Sequence, residues 1–232
     1  MTPRVSVVIP IRDEGANLLR LRDRITRADR IEFIAVADHP ADATAIPAGW
    51  HLRLNRLGPG PANAIRAGIL EATADVVVVM CADGSDDPAV LWDLVAHVQA
   101  GAAICAASRY LPGGARIGGP RVKAALSRLA GASLAWLTRQ PVTDPTNAYK
   151  AYDAAFLHHA GAESDKGFTL GLEMTAKAIR LGLTIAEIPV TWRDREHGRS
   201  HWKWAWLPAY LHWWWFALGP RVSDKEDAPC PM

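Results

Sequence analysis

Apolar runs alternate with amphipathic stretches along most of the chain. Residues 76–79 are four valines in succession. A β-branched run without polar alternation predicts a strand covered on both faces, at the centre of a parallel sheet. Residues 4–10 and 31–37 repeat the pattern, and shorter runs predict strands at 51–55, 102–107, 148–152 and 183–192. Between them, apolar residues recur at helical spacing. Leu18, Leu21 and Ile25 predict a helix over 17–28, and Ile65 and Ile69 one over 62–73. Leu91, Leu94 and Val98 predict a third over 89–100. A fourth helix is predicted over 121–138, with Val122, Leu126, Leu129, Leu134 and Leu137 on its apolar face, and a fifth over 168–181. Strands and helices in this alternation predict an α/β domain, doubly wound around a mainly parallel sheet.

Two of the strands end in acids. The second runs into Asp38, and the valine run ends in Met80-Cys81-Ala82-Asp83-Gly84-Ser85-Asp86-Asp87-Pro88. Ligands of open α/β sheets bind beyond the carboxyl ends of the strands. Asp83 is therefore a candidate ligand for a divalent cation holding phosphates. Asp86 or Asp87, before Pro88, is suited to cap the next helix. Asp38 reads equally as an ordinary turn residue. Arg121, Lys123, Arg128 and Arg139 make the charge of the fourth helix wholly positive. Such charges are either a solvated face or a means of capturing an anionic acceptor. Glu173, between Leu172 and Met174, is either exposed on a one-sided helix or a buried functional acid.

Composition narrows the class. The chain has 232 residues, half of them hydrophobic, and a net charge of +2, which gives no basic excess for nucleic acid. Cys81, Cys105 and Cys230 are scattered, which predicts a reducing compartment and no disulfide framework. No signal peptide is expected, because the chain enters a strand at once. Tryptophan is unusual, with seven of ten from Trp192 onward. Residues 202–219 have the length of a membrane span but are interrupted by Lys203, Pro208 and His212. They predict an aromatic amphipathic helix, kinked near Pro208, lying at a membrane interface. The competing reading packs it on the domain or on a partner subunit. Residues 221–232 read as a disordered tail. The expected division is a catalytic domain over 1–200, the Trp-rich helix over 201–220, and that tail.

Five motifs together resemble one family. Residues 5–14 (VSVVIPIRDE) resemble the opening strand of inverting family 2 glycosyltransferases of the GT-A fold, and Asp38 falls where that family's second strand ends in an acid. MCADGSDDP resembles its Asp-x-Asp segment, and residues 144–150 (DPTNAYK) the segment beside its acceptor. Residues 195–200 (REHGRS) resemble the Arg-x-x-Gly-x-Ser loop of dolichol- and polyprenyl-phosphate mannose synthases.

The resemblance implies transfer of a hexose, with inversion, from a nucleotide sugar of the GDP-mannose or UDP-glucose type to a polyprenyl phosphate. It implies that Pro10, Glu14, Val36 and Asp38 hold the nucleoside. Asp83, with Ala82 beside it and Ser85 as a further ligand, would bind Mg²⁺ or Mn²⁺. Arg109 and Lys123 would contact the phosphate of the lipid acceptor, and Arg195 and His201 the donor diphosphate. Asp83, Asp144 and Arg195 would carry the chemistry. Cys81 stands where the first acid of the Asp-x-Asp is expected, and a thiol suits a hard cation poorly. The expected location is the cytoplasm, peripheral on the inner face of the cell membrane. Two other readings are a transferase to a sugar hydroxyl, with Asp144 or Glu173 as base, and a nucleotide-sugar-binding subunit without catalysis. A nucleotidyltransferase fits less well, because residues 11–15 (IRDEG) are a poor Gly-rich loop.

Overall fold

A computed structural model describes residues 5–12, 14–43, 46–194 and 203–222. Seven strands form the main sheet: β1 (Val5–Ile11), β2 (Ile31–Ala37), β3 (His51–Leu54), β4 (Val76–Val79), β5 (Ile104–Ser108), β7 (Lys150–Asp153) and β8 (Ile185–Pro189). Their order is β3-β2-β1-β4-β7-β5-β8. All neighbours pair in parallel except β7, which runs antiparallel to both β4 and β5. The valine run is wholly buried on β4, as the central strand of the seven should be.

Helices cover both faces. On one, α1 (Gly15–Arg24) and α3 (Leu91–Gln99) set Leu18, Leu21, Leu91, Leu94 and Val98 against the odd-numbered residues of β1. On the other, Val8, Val77 and Val79 meet Ile65 and Ile69 of α2 (Pro61–Glu71). That side also holds α5 (Ala154–Ala160), α6 (Leu170–Arg180), α7 (Leu207–Phe216) and part of α4 (Arg121–Thr138).

Several expectations are corrected. The strand predicted over 183–192 is two strands: β8 stays in the main sheet, and β9 (Thr191–Arg193) leaves it to pair in parallel with β6 (Ala115–Ile117). β6 lies between two glycine pairs, Gly113-Gly114 and Gly118-Gly119. The predicted apolar face of α4 does not point inward. Leu134 is buried, but Val122, Leu126, Leu129 and Leu137 are exposed, and so is Trp136. Pro208 does not kink the aromatic helix; it lies in the first turn of α7, where a missing N–H breaks no helical bond. α7 is docked on the domain through Trp213 and, just past its end, Ala217, while Leu211 and Trp215 are exposed. No helix among the described residues is long and apolar enough to cross a membrane.

Candidate active site

The strand order reverses direction at β1. Its chain continuation, β2, lies on one side and β4 on the other. A crevice opens at such a switch point, beyond the carboxyl ends of the strands. Glu14 at the start of α1, Asp38 after β2 and Asp83 after β4 all follow parallel strands and so share this edge. Pro10 and Val36 are register partners just short of it. Val36 is wholly buried, so its side chain belongs to the core. Asp38 accepts from Asn55 Nδ2 at 2.8 Å and from Gly60 N at 2.8 Å, which fixes the loop before α2. Glu14 accepts from Asn17 Nδ2 at 2.6 Å.

The acidic segment after β4 divides its labour. Asp87 caps the turn at Pro88, accepting from Ala89 N at 3.1 Å. Asp86 folds back under the segment and accepts from Cys81 N at 2.9 Å. Burial pushes its carboxyl up to about 7; the Cys81 N–H opposes this and the neighbouring Asp83 reinforces it. Asp83 Oδ1 accepts from Ser85 N at 3.1 Å and from Ser85 Oγ, so the carboxylate is oriented locally. Ala82 is buried beneath it.

A cleft of about 470 Å³ is lined by Cys81, Asp83, Ser85 and Asp86 of the acidic segment. Arg109, Arg116, Lys123 and Ser127 give it a polar and cationic lining. Leu126, Leu129 and Ala130 of α4 and Leu207, Leu211 and Trp214 of α7 give it an apolar one. Trp214 Nε1 donates to Ser133 Oγ at 3.1 Å and ties the two helices together. Tyr210 and Trp192 also line the space.

Arg109 is the most constrained cation of the cleft. Its Nε donates to Asp144 Oδ2 at 2.6 Å and its Nη2 to Asp144 Oδ1 at 2.7 Å. Nη2 also reaches Ser127 Oγ at 3.1 Å and Thr146 Oγ1 at 3.2 Å. Its charge lies over the rings of Tyr110 and Trp192. Burial alone would lower the pKa of this guanidinium, but the Asp144 carboxylate reverses that and holds it above its ordinary value. Asp144 itself is wholly buried and does not line the cleft. It stands behind Arg109 as its orienter.

Glu173 is likewise wholly buried. It accepts from Glu163 N at 2.7 Å and Ser164 N at 2.8 Å, and pairs with Lys177 at 2.8 Å. Of the two readings left open for it, this is the buried one, spent on holding the loop before α6. Neither candidate base therefore faces the cleft.

The turn carrying Asp144 is seated against α4. A Cβ on Gly131 would lie 2.0 Å from the Thr143 carbonyl oxygen, so only glycine allows this approach. Pattern reasoning did not single out Ser127, Arg116, Trp192 or Thr146, which meet here only through folding. Arg195 and His201 lie outside the described residues.

For a divalent cation, Asp83 and Ser85 supply hard oxygen donors, and Cys81 a thiol where a second acid was expected. Among the described residues no group of three His, Cys, Asp or Glu side chains could hold a metal alone. One carboxylate with phosphate oxygens and water is nonetheless an ordinary Mg²⁺ site. The residues therefore fit an ion arriving with a diphosphate.

Together, the doubly wound sheet, the acids at its switch point and the cationic cleft beside them suit an enzyme that binds phosphorylated ligands, on a fold of the GT-A class. The profile "Glycosyl transferase family 2" matches residues 6–160, and the chain belongs to that family. It is therefore a glycosyltransferase. It is 31% identical over 214 residues to polyprenol monophosphomannose synthase of Mycolicibacterium smegmatis, covering 86% of this chain and 81% of that one. It is 31% identical over 214 residues to undecaprenyl-phosphate mannosyltransferase of Micrococcus luteus, covering 85% and 86%. Among solved structures, glucosyl-3-phosphoglycerate synthase of Mycobacterium tuberculosis, with Mn²⁺, UDP and phosphoglyceric acid, superposes with a TM-score of 0.70 at 20% identity. That match covers 96% of this chain and 81% of the other, and is a likeness of fold.

Proposed function

We propose that this enzyme transfers a hexose from a nucleotide sugar to the phosphate of a polyprenyl phosphate, with inversion, at a membrane surface. The observation that carries this reading is a single cleft lined by acids, by cations and by the apolar residues of two helices. An acceptor phosphate fits beside Arg109, Lys123 and Ser127, and a prenyl chain fits between the apolar walls of α4 and α7. The mannosyltransferase relatives, by name, act on such lipids. Exposed Val122, Leu129, Trp136, Leu137, Leu211 and Trp215 on these helices suit an interface, where tryptophan is favoured. This reading keeps the cytoplasmic, peripheral location and treats the aromatic helix as the element that meets the lipid surface.

The donor would lie at the switch point. Pro10, Glu14, Val36 and Asp38 would frame the nucleoside, with Asp83 and Ser85 at the diphosphate and Arg195 and His201 over it. A bound Mg²⁺ or Mn²⁺ would supply charge neutralisation of the leaving nucleoside diphosphate. Arg109 and Lys123 would align the acceptor oxygen with the anomeric carbon. A phosphate monoester has a second pKa of about 6, so the attacking oxygen is already anionic near neutral pH. No general base is required, in keeping with Asp144 and Glu173 lying outside the cleft. GDP-mannose and UDP-glucose are both retained as donor types.

The test uses purified protein, detergent micelles, polyprenyl phosphate and a panel of labelled nucleotide sugars with Mg²⁺, Mn²⁺ or chelator. Label should enter the lipid phase from one donor and fall away in chelator. Label moving instead to a water-soluble phosphate or sugar acceptor would overturn the proposal.

A further inference from the structure

Beneath the acceptor side of the cleft lies a cluster of charges, Asp144 and Lys150 buried and Glu187 half-buried, of which Arg109 reaches the cleft. Lys150 on β7 is wholly enclosed. Its Nζ donates to Pro145 O at 2.7 Å, Gly171 O at 2.7 Å and Thr175 Oγ1 at 2.8 Å. From β8, Glu187 accepts from Thr143 N and Thr143 Oγ1, each at 2.7 Å, and from Asp144 N at 2.9 Å. The turn from Thr143 to Thr146 is thus clamped from two sides, and Asp144 and Thr146 of that turn hold Arg109.

The charges decide what this clamp does. Asp144 and Glu187 are two anions, and Arg109 alone would leave the cluster at net −1 under an anion-binding cleft. Lys150 brings it to zero. Its partners in the neighbouring strands are Val79 and Ala106, and α6 presents Gly171 and Thr175, none of them charged. Asp144, Glu187 and Arg109 are therefore the charges that act on it.

We propose that Lys150 is a positioning residue for the acceptor phosphate: it pins the turn that aims Arg109 and cancels the second carboxylate beneath it. This rests on the reading of the cleft as the acceptor site. Burial pushes the Lys150 ammonium down to about 7, against the pull of Asp144 and Glu187. Above that pH the neutral amine still donates to both carbonyls, but the cluster turns net negative and repels the acceptor. The acceptor's own second ionisation, at about 6, is already complete there.

The experiment measures kcat and both KM values for the full chain, wild type and Lys150→Met, from about pH 6.5 to about pH 9. In the wild type the acceptor KM should rise about tenfold across that range while the donor KM stays flat. Lys150→Met should have a raised acceptor KM already at the low end and a clearly smaller further rise than the wild type, the remainder belonging to Asp86, whose carboxyl at about 7 lines the same cleft. A flat acceptor KM in the wild type, or a variant that raises both KM values alike, overturns the role. Thr175→Val keeps the lysine but removes one acceptor, and should move the onset of the rise to lower pH even if Lys150→Met fails to fold. If the wild type transfers nothing to prenyl phosphate, the functional reading fails on its own. Calorimetric binding of inorganic phosphate at one pH then decides the matter: weaker binding by Lys150→Met supports the role, and equal binding refutes it.

Discussion

Replacing Arg109 with methionine separates what the Arg109–Asp144 pair does for the fold from what it does for the acceptor. Asp144 is fully buried, and Arg109 occupies both of its oxygens. After Arg109→Met, the carboxylate retains one donor from this partner, the backbone N–H of residue 109 at 3.1 Å. Breaking a buried pair by removing one member costs about 3–5 kcal/mol, because the remaining charge is left without compensation. For a chain of this size each kcal/mol moves Tm by roughly 2–4 °C, so Tm should fall by about 6–20 °C. Adding Asp144→Asn removes the stranded charge, and the double variant should recover most of that loss. Acceptor turnover should not return, because the guanidinium that faces the cleft is still missing. Calorimetry with a transfer assay on the same preparations reads both quantities. A Tm for Arg109→Met within about 2 °C of wild type would refute the argument, as would a double variant no more stable than the single one.

Three further predictions follow from other parts of the site. Gly131→Ala gains up to about 1 kcal/mol of helix propensity, but it drives a Cβ into the Thr143 carbonyl, whose turn Glu187 and Lys150 pin; overpacking of about 1–3 kcal/mol should win, lowering Tm and raising the acceptor KM. Unchanged thermal unfolding in that variant would mean that α4 is not seated on the turn. Asp83→Ala should abolish transfer yet leave the urea midpoint nearly unchanged, since the fold-bearing contacts of this segment belong to Asp86 and Asp87; a large midpoint shift with activity retained would contradict this. Lys150 should also tilt stability against pH. Its folded value of about 7 lies below the ordinary 10.5, so the unfolded chain binds more protons between them and stability rises with pH through that window. Urea unfolding should show this slope, on the order of a few kcal/mol in total, in wild type but not in Lys150→Met.

The sheet was legible because burial writes itself into sequence. Strands covered on both faces cannot alternate, and so the valine run and its two N-terminal companions stood out. The acids after β2 and β4 were legible for a related reason, since few residues besides turn formers and ligands belong at a buried strand's end. What α4 faces was not legible. Its spacing of apolar residues is that of a core-facing helix, yet most of them are exposed, because periodicity reports that a face is apolar and not what covers it. The break between β8 and β9 turns on one residue, Val190, and left no compositional mark. Glu173 and Asp144 were both candidate bases because they are acids in apolar surroundings. Their hydrogen bonds, made across 9 or 10 residues for Glu173 and 35 for Asp144, decide against that. Lys150 carries no local signal beyond its place at the end of DPTNAYK, and its burial depends on the antiparallel insertion of β7, which local pattern does not encode. Cys81 remains a departure from an acidic pair that the geometry leaves close to Asp83 and Asp86 without a third acid to replace it.

The claim at the centre of the account is that a lipid phosphate occupies the cleft between α4 and α7. A prenyl phosphate carrying a photoreactive group near its phosphate end, crosslinked to the wild-type protein in micelles and mapped by mass spectrometry, tests it most directly. The account predicts labelling on α4 around Leu126 and Leu129 and on α7 around Leu211 and Trp214, suppressed by unlabelled prenyl phosphate and weakened in Arg109→Met. Labelling confined to other surfaces, or suppressed equally well by a small water-soluble phosphate ester, would contradict it.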